Sequence, residues 1–230
     1  MIHTHPLTGV GIGPGDPELI TVKGLKALQQ ADVVYYPASR VSGHEISSFS
    51  KRIIDHYGLH CPCKPLLFPM TSHDRQHYYH LAYQTVKADV ESGSRVVVVS
   101  EGDLLFYSTF GYLLQMAKAD GIPCHLVPGI PAFIHGASIG QLPLVDEDRS
   151  ITVLARPKSF VQVEQALQRH DVVVVMKMTT LRGGWADFVR QCRRPFFYIE
   201  KAGTDGQFFT DVPDELAERE IPYFSLIVFR

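Results

Sequence analysis

Three turns in this chain set glycine beside groups that can bind a small ligand. The first is Gly11-Ile12-Gly13-Pro14-Gly15-Asp16-Pro17-Glu18, directly after an apolar run. Three glycines in five residues permit positive φ and bring bare backbone close to a ligand. Pro14 stiffens the turn between two of them. Asp16 reads as an N-cap and Pro17 as the first residue of the helix that follows. The second turn is Ser100-Glu101-Gly102-Asp103, where Asp103 is either a carboxylate presented to a ligand or an Asx turn that caps the loop. Ser108 and Thr109 come shortly after it, with hydroxyls suited to capping a helix or bonding a ligand. The third is Pro128-Gly129-Ile130-Pro131.

The spacing of the first turn argues against a dinucleotide site. A G-x-G-x-x-G fingerprint needs its third glycine where Asp16 stands, and no G-x-x-x-x-G-K-[ST] loop occurs. A carboxylate at the start of a helix would also repel pyrophosphate. The turn therefore suits a ligand with little net negative charge, or else is a tight strand-to-helix connection with no ligand.

The elements that must position these turns alternate strand and helix. Strands are expected at residues 7–10, 31–36, 95–100 and 122–127, and helices at 19–28, 77–91, 108–119 and 132–139. The run Arg-Val-Val-Val-Val-Ser ending at Ser100 reads as a strand buried on both faces, hence parallel. Pro37 is expected to end the second strand, and residues 39–50 read as a polar loop. The pattern breaks at residues 142–150, a linker containing Pro143 and Asp146-Glu147-Asp148-Arg149. Beyond it, strands are expected at 151–155, 172–176, 196–199 and 223–229, with helices at 160–169, 185–192 and 215–219. The fold class is thus α/β, with one domain over residues 1–145 and a second over 146–230.

Composition narrows the partners. The chain of 230 residues has a net charge of −2, which provides no electrostatic footprint for nucleic acid and no basic patch for a membrane surface. No apolar run approaches a transmembrane length. The first residues lack a signal-peptide core, so the cytoplasm is the expected location. Cys61 and Cys63 form a C-x-C pair without the second pair that a zinc site needs, and Cys124 and Cys192 stand apart. His73, His77 and His80 have helical spacing, but with no carboxylate partner they read as a solvated face, so no metal is expected. Trp185 and Phe188 fit a helix packing inward, and Tyr78, Tyr79 and Tyr83 read as covering a surface or a dimer contact.

Taken in order, these turns, together with Phe106-Tyr107-Ser108-Thr109-Phe110 and the terminal run Tyr223-Phe224-Ser225-Leu226-Ile227-Val228, resemble the tetrapyrrole (corrin/porphyrin) methyltransferase family over nearly the whole chain. The resemblance implies two α/β domains with an active-site cleft between them, a homodimer, and S-adenosyl-L-methionine held folded, largely by backbone groups. It implies methyl transfer to carbon 20 of a partly reduced tetrapyrrole, precorrin-2 or cobalt-factor II. Carried over by motif, the cofactor contacts are Pro14, Gly102, Asp103, Leu105, Ser108, Thr109, Phe110 and Ile130, with Lys177, Ala202 and Leu226 from the second domain. Taken alone, Phe110 reads as core.

The chemistry that follows is alignment and desolvation, because an electron-rich ring carbon can itself attack a methyl group. A base for the carbon-20 proton is sought among Asp103, Tyr107 and His44. Arg40, Lys51 and Arg52 are candidates to face the acidic side chains of the macrocycle, or else a solvated surface. Leu104 stands where the family has proline, which frees φ and leaves the rigidity of the loop open, while the site is expected to survive. The alternatives are action at another ring position or on uroporphyrinogen III, diphthine synthase, a nucleotide-binding oxidoreductase, or a non-catalytic S-adenosylmethionine-binding regulator.

Overall fold

The computed structural model describes residues 5–40, 46–68, 74–181 and 183–230. It divides into two compact units, Met1–Pro131 and Ala132–Arg230. The division falls upstream of the expected 145/146 boundary. Helix α5 (Ala132–Ile139) accounts for the difference, because its Ala137 packs with Val172, Val174, Phe197 and Ile199 of the second sheet.

In the first unit, β1 (Leu7–Gly11) lies between β5 (Val96–Ser100) and β6 (Cys124–Val127), parallel to both. Next to β5 lies β2 (Val33–Arg40), which also pairs in parallel with β4 (Cys63–Leu67). The two-residue strand β3 (Ile46–Ser47) adds an antiparallel edge to β2. Every residue of β5 is buried, as its β-branched run requires. Val96 and Val98 face a core with α3 (Arg75–Glu91) and α4 (Phe110–Ala119). Val97 and Val99 face another with α1 (Val22–Gln29) and α2 (Phe49–Asp55). Alternation along one strand thus places helices on both faces of the sheet.

Several local readings change. The first helix does not start at Pro17. Asp16 caps only a 3-10 turn, Pro17–Leu19, by accepting from the Glu18 N–H at 2.9 Å. Thr21 then starts α1, accepting from the Gly24 N–H. Strand β2 runs through Pro37, because its pairing with β5 ends at Tyr35 and the missing N–H is not needed on that side. Tyr79 and Tyr83 are core residues, with Tyr79 stacked on Tyr112 at 4.2 Å and the Tyr83 hydroxyl donating to Asp120 at 2.7 Å. Both rings lie on the buried stripe of an otherwise polar helix, and the Tyr83 hydroxyl still reaches a polar partner. Trp185 and Phe188 are buried as expected.

In the second unit the strand order is β10 (Phe208–Thr210), β9 (Phe196–Glu200), β11 (Ser225–Phe229), β8 (Val172–Met176), β7 (Ile151–Ala155). β7 and β8 are parallel, whereas β11 is antiparallel to both β8 and β9. Helices α6 (Phe160–Arg169) and α7 (Trp185–Cys192) cover one face and α5 the other. The short strand β10 was not expected, since three residues carry too little periodicity to read.

The starts of β2 and β5 are tied by Asp32, which accepts from the Arg95 backbone N–H at 2.8 Å and from its guanidinium at 2.7 and 3.1 Å. The hydrogen bonds from Arg95 hold the Asp32 carboxyl down from its ordinary 3.8 to about 2. A carboxyl depressed in the folded state favours folding above its unfolded value and loses that effect as pH falls toward the folded one. Asp32→Asn should therefore melt below the parent at neutral pH, with the gap closing between pH 3.8 and about 2. Paired thermal melts across that range check it, and a gap constant down to pH 2 contradicts it.

Candidate active site

The three glycine-bearing turns follow β1, β5 and β6, which are neighbours in the first sheet, so all three emerge at one carboxyl edge. That edge is where open α/β sheets gather ligands. Backbone contacts stitch the turns together. Gly13 donates to the Gly102 carbonyl at 3.3 Å and Gly102 donates back to the Gly13 carbonyl at 2.7 Å. Their φ values, +82° and +63°, fall where glycine is favoured. A Cβ on Gly129 would lie 2.2 Å from the Gly102 carbonyl oxygen, and one on Gly11 would lie 2.5 Å from the Gly129 nitrogen.

Asp103 completes the stitching. Its Oδ1 accepts from the Leu105 N–H at 2.8 Å, an Asx turn, and its Oδ2 accepts from the Gly129 N–H at 3.0 Å. One carboxylate therefore shapes the second turn and fastens it to the third. Glu101 accepts from the hydroxyl of Ser50, a fully buried residue of α2, at 2.6 Å. Ser108 pairs with Ser100 at 2.6 Å, and its Oγ accepts from the Phe110 N–H at 3.1 Å. Thr109 occupies the N-cap of α4 but makes no side-chain cap, so the capping expected of it falls to Ser108.

The remaining expected contacts divide by position. Pro14 is buried within the first turn, Ile130 is half-buried in the third, and Leu105 is exposed in the second. The Phe110 ring lies in the core against Gly9, so it supports the turn from beneath. Tyr107 is exposed and adopts φ +52°, uncommon for an aromatic residue. Lys177, Ala202 and Leu226 belong to the second unit and share one edge of its sheet, just past β8, just past β9 and at the start of β11. His44 and His73 lie outside the described residues. Lys51 is engaged with Asp55 on its own helix.

Leu104 is 1% exposed and packs in the core that holds Phe110, so its buried side chain anchors the second turn. Leu104→Ala should cost about 2–4 kcal/mol, the range for a buried leucine that leaves a cavity. Urea denaturation of the two proteins checks this, and an unchanged midpoint rules the anchor out.

Residues 11–18, 100–110 and 127–131 carry four carboxylates, Asp16, Glu18, Glu101 and Asp103, and no lysine, arginine or histidine. Backbone polar groups, two serine hydroxyls and four acids fit a ligand with a positive centre and disfavour a polyphosphate. The donor set therefore fits a sulfonium compound.

Residues 6–216 match the family described as Tetrapyrrole (Corrin/Porphyrin) Methylases, and the chain belongs to that family. Precorrin-2 C(20)-methyltransferase of Sinorhizobium sp is 32% identical over 240 residues, covering 96% of this chain and 94% of that protein. Cobalt-precorrin-2 C(20)-methyltransferase of Salmonella typhimurium is 31% identical over 176 residues, covering 75% and 72%. The uroporphyrin-III C-methyl transferase of Thermus thermophilus, solved with S-adenyl homocysteine, superposes with a TM-score of 0.69 at 20% identity, covering 97% of this chain and 96% of that one, and shares the fold.

Proposed function

We propose that this chain transfers a methyl group from S-adenosyl-L-methionine to carbon 20 of precorrin-2 or its cobalt form, in the cytoplasm, as a homodimer. The observation that carries the reading is the glycine-stitched cradle of the first unit, whose three turns carry four acids and no lysine, arginine or histidine of their own. The near full-length match to a precorrin-2 C(20)-methyltransferase supports the choice of substrate. Among the described residues no helix is long and apolar enough to cross a membrane.

When bound, S-adenosylmethionine supplies an electrophilic methyl group on a positively charged sulfur. The residues proposed to hold it are Pro14, Gly102, Asp103, Leu105, Ser108, Thr109 and Ile130, with Phe110 beneath them and Lys177, Ala202 and Leu226 from the second unit. Gly11, Gly102 and Gly129 keep side chains out of the cradle, so backbone lies against the ligand. Glu101, fixed by Ser50, and Asp103, fixed by two N–H groups, supply negative charge that needs no reorganisation when the ligand arrives. Because the ring carbon is itself nucleophilic, orientation and exclusion of water are the protein's main contributions. Both oxygens of Asp103 are already committed to backbone donors, so we assign it to positioning.

The direct test incubates the protein with methyl-labelled S-adenosylmethionine and precorrin-2 or its cobalt form, then locates the label by carbon NMR. Label at carbon 20 is the expected result. Label at another ring carbon would redirect the assignment within the family, and S-adenosylhomocysteine binding with no turnover on any tetrapyrrole would favour a non-catalytic regulator.

A further inference from the structure

Helix α2 sends polar side chains to two of the three glycine-bearing turns. Its inward stripe is Ser50, Ile53, Ile54 and Tyr57, at the i, i+3, i+4, i+7 spacing of one helix face, the last in the turn that ends the helix. The middle of the stripe is apolar. Ile53 and Ile54 are each 1% exposed and belong to the core that holds Val10, Ile12 and Val99, at the ends of β1 and β5. The two ends of the stripe are polar. The Ser50 hydroxyl donates to Glu101 of the second turn at 2.6 Å. The Tyr57 hydroxyl donates to the carbonyl of Pro17, at the far limb of the first turn. At helical rise these two attachments stand about 10 Å apart along the axis.

Both ends use residues that packing alone would not choose. Ser50 is fully buried, and a hydroxyl in such a place is unfavourable unless it is bonded. Burial, with Asp16 and Glu18 nearby, raises the Tyr57 hydroxyl above its ordinary 10.0, so it stays protonated and remains a donor. The 3-10 turn Pro17–Leu19 buries none of its three residues, and its Pro17 carbonyl takes both the Ile20 N–H at 3.1 Å and the Tyr57 hydroxyl. The helix itself is pinned at its start. Ser48 accepts from the Lys51 N–H at 3.1 Å as N-cap, and its hydroxyl donates to the Pro37 carbonyl of β2 at 2.7 Å. A short element fastened to β2 and to the core therefore reaches both turns at a fixed separation. On the other side of the second turn, Asp103 makes the corresponding tie to Gly129.

We propose that α2 braces the ligand cradle of the first unit, with Ser50 and Tyr57 as positioning residues that act together to hold the first and second turns at the separation the ligand needs. That the ligand is the methyl donor rests on the function proposed above. The coupling of the two turns through α2 stands on the geometry of the first unit alone.

The test combines Ser50→Ala, Tyr57→Phe and the double variant, each read by calorimetry with S-adenosylhomocysteine. Each single change should weaken binding about fivefold, the scale of one lost neutral hydrogen bond. A brace released at either end no longer sets the separation, so the double variant should also lose about fivefold, not the roughly twenty-five-fold of two independent contacts. Ile54→Val trims the apolar middle of the same stripe. It should melt about as low as the single variants yet bind as the parent does, which a merely structural role for Ser50 and Tyr57 would not produce. Parent-like binding by both single variants overturns the proposal, as do additive losses in the double variant. Hydrogen exchange is the arm that needs no ligand. Either single variant should speed exchange at both Gly13 and Gly102, whose N–H groups bond across the two turns, relative to the amides of β5. Faster exchange confined to the turn that lost its own bond overturns the coupling. No association of S-adenosylhomocysteine with the parent would sink the methyl-donor reading, while exchange would still decide the brace.

Discussion

Gly129→Ala should lose at least a hundredfold in affinity for S-adenosylhomocysteine and melt several degrees below the parent. The new Cβ would sit 2.2 Å from the Gly102 carbonyl oxygen and 2.7 Å from the Gly11 carbonyl carbon. Both obstacles are backbone, so no rotamer change relieves them. The turns after β1, β5 and β6 must then move apart, and the N–H of Gly129 must leave the Asp103 carboxylate. Overpacking of this kind costs about 1–3 kcal/mol and sometimes more. In a chain of this length, each kcal/mol lowers the melting temperature by roughly 2–4 °C. Binding should suffer more than stability, since the displaced atoms are those proposed to form the cradle. Gly111→Ala is the matched control. It lies in α4, a Cβ there meets nothing within 4 Å, and alanine favours a helix over glycine by about 1 kcal/mol. That variant should melt slightly higher and bind normally. Parent-like binding by Gly129→Ala would remove the stitched turns from the ligand site.

The acids of the three turns fit the methyl donor of such an enzyme. A donor with a sulfonium suits turns that hold Asp16, Glu18, Glu101 and Asp103 without a cation.

How much of this could be read from residues alone depended on the range of the interaction. The valine run of β5 and the stripe of α7 announce themselves through local periodicity, and both elements lie close to where that pattern puts them. Gly102 and Gly129 were legible as turn residues, but their mutual approach was not, since it depends on strands β5 and β6 flanking β1. The bond from Asp103 to Gly129 spans 26 residues, and only the sheet order brings its ends together. The anchoring of Leu104 was not legible, because a missing proline is visible in a sequence and a buried leucine is not. Lys177 and Lys201, at φ of +55° and +48°, gave no warning of that backbone, because nothing in their chemistry favours positive φ.

Asp103→Ala should cut methyl transfer at least tenfold, a rise of about 1.4 kcal/mol in the barrier. Hydrogen bonds to a charged acceptor contribute about 1.5–3 kcal/mol each, and alanine removes two at once, leaving the N–H groups of Leu105 and Gly129 without their partner. Asp103→Asn separates positioning from proton transfer. Asparagine offers one acceptor oxygen where two donors converge, so one of the two fastenings survives and the other meets an amide N–H. Activity should fall between parent and alanine, mainly through a higher KM for S-adenosylmethionine. The pH profile of kcat should keep its shape, because a carboxylate that only holds loops leaves the ionisations of the reaction untouched. If Asp103 instead accepted the carbon-20 proton, the asparagine variant would lose kcat with little change in KM, and one limb of the profile would disappear. Asp103→Glu should not rescue either variant. Its extra methylene displaces both oxygens from donors that are 2.8 and 3.0 Å from the native carboxylate, and a site built by convergence of three turns has no slack on that scale.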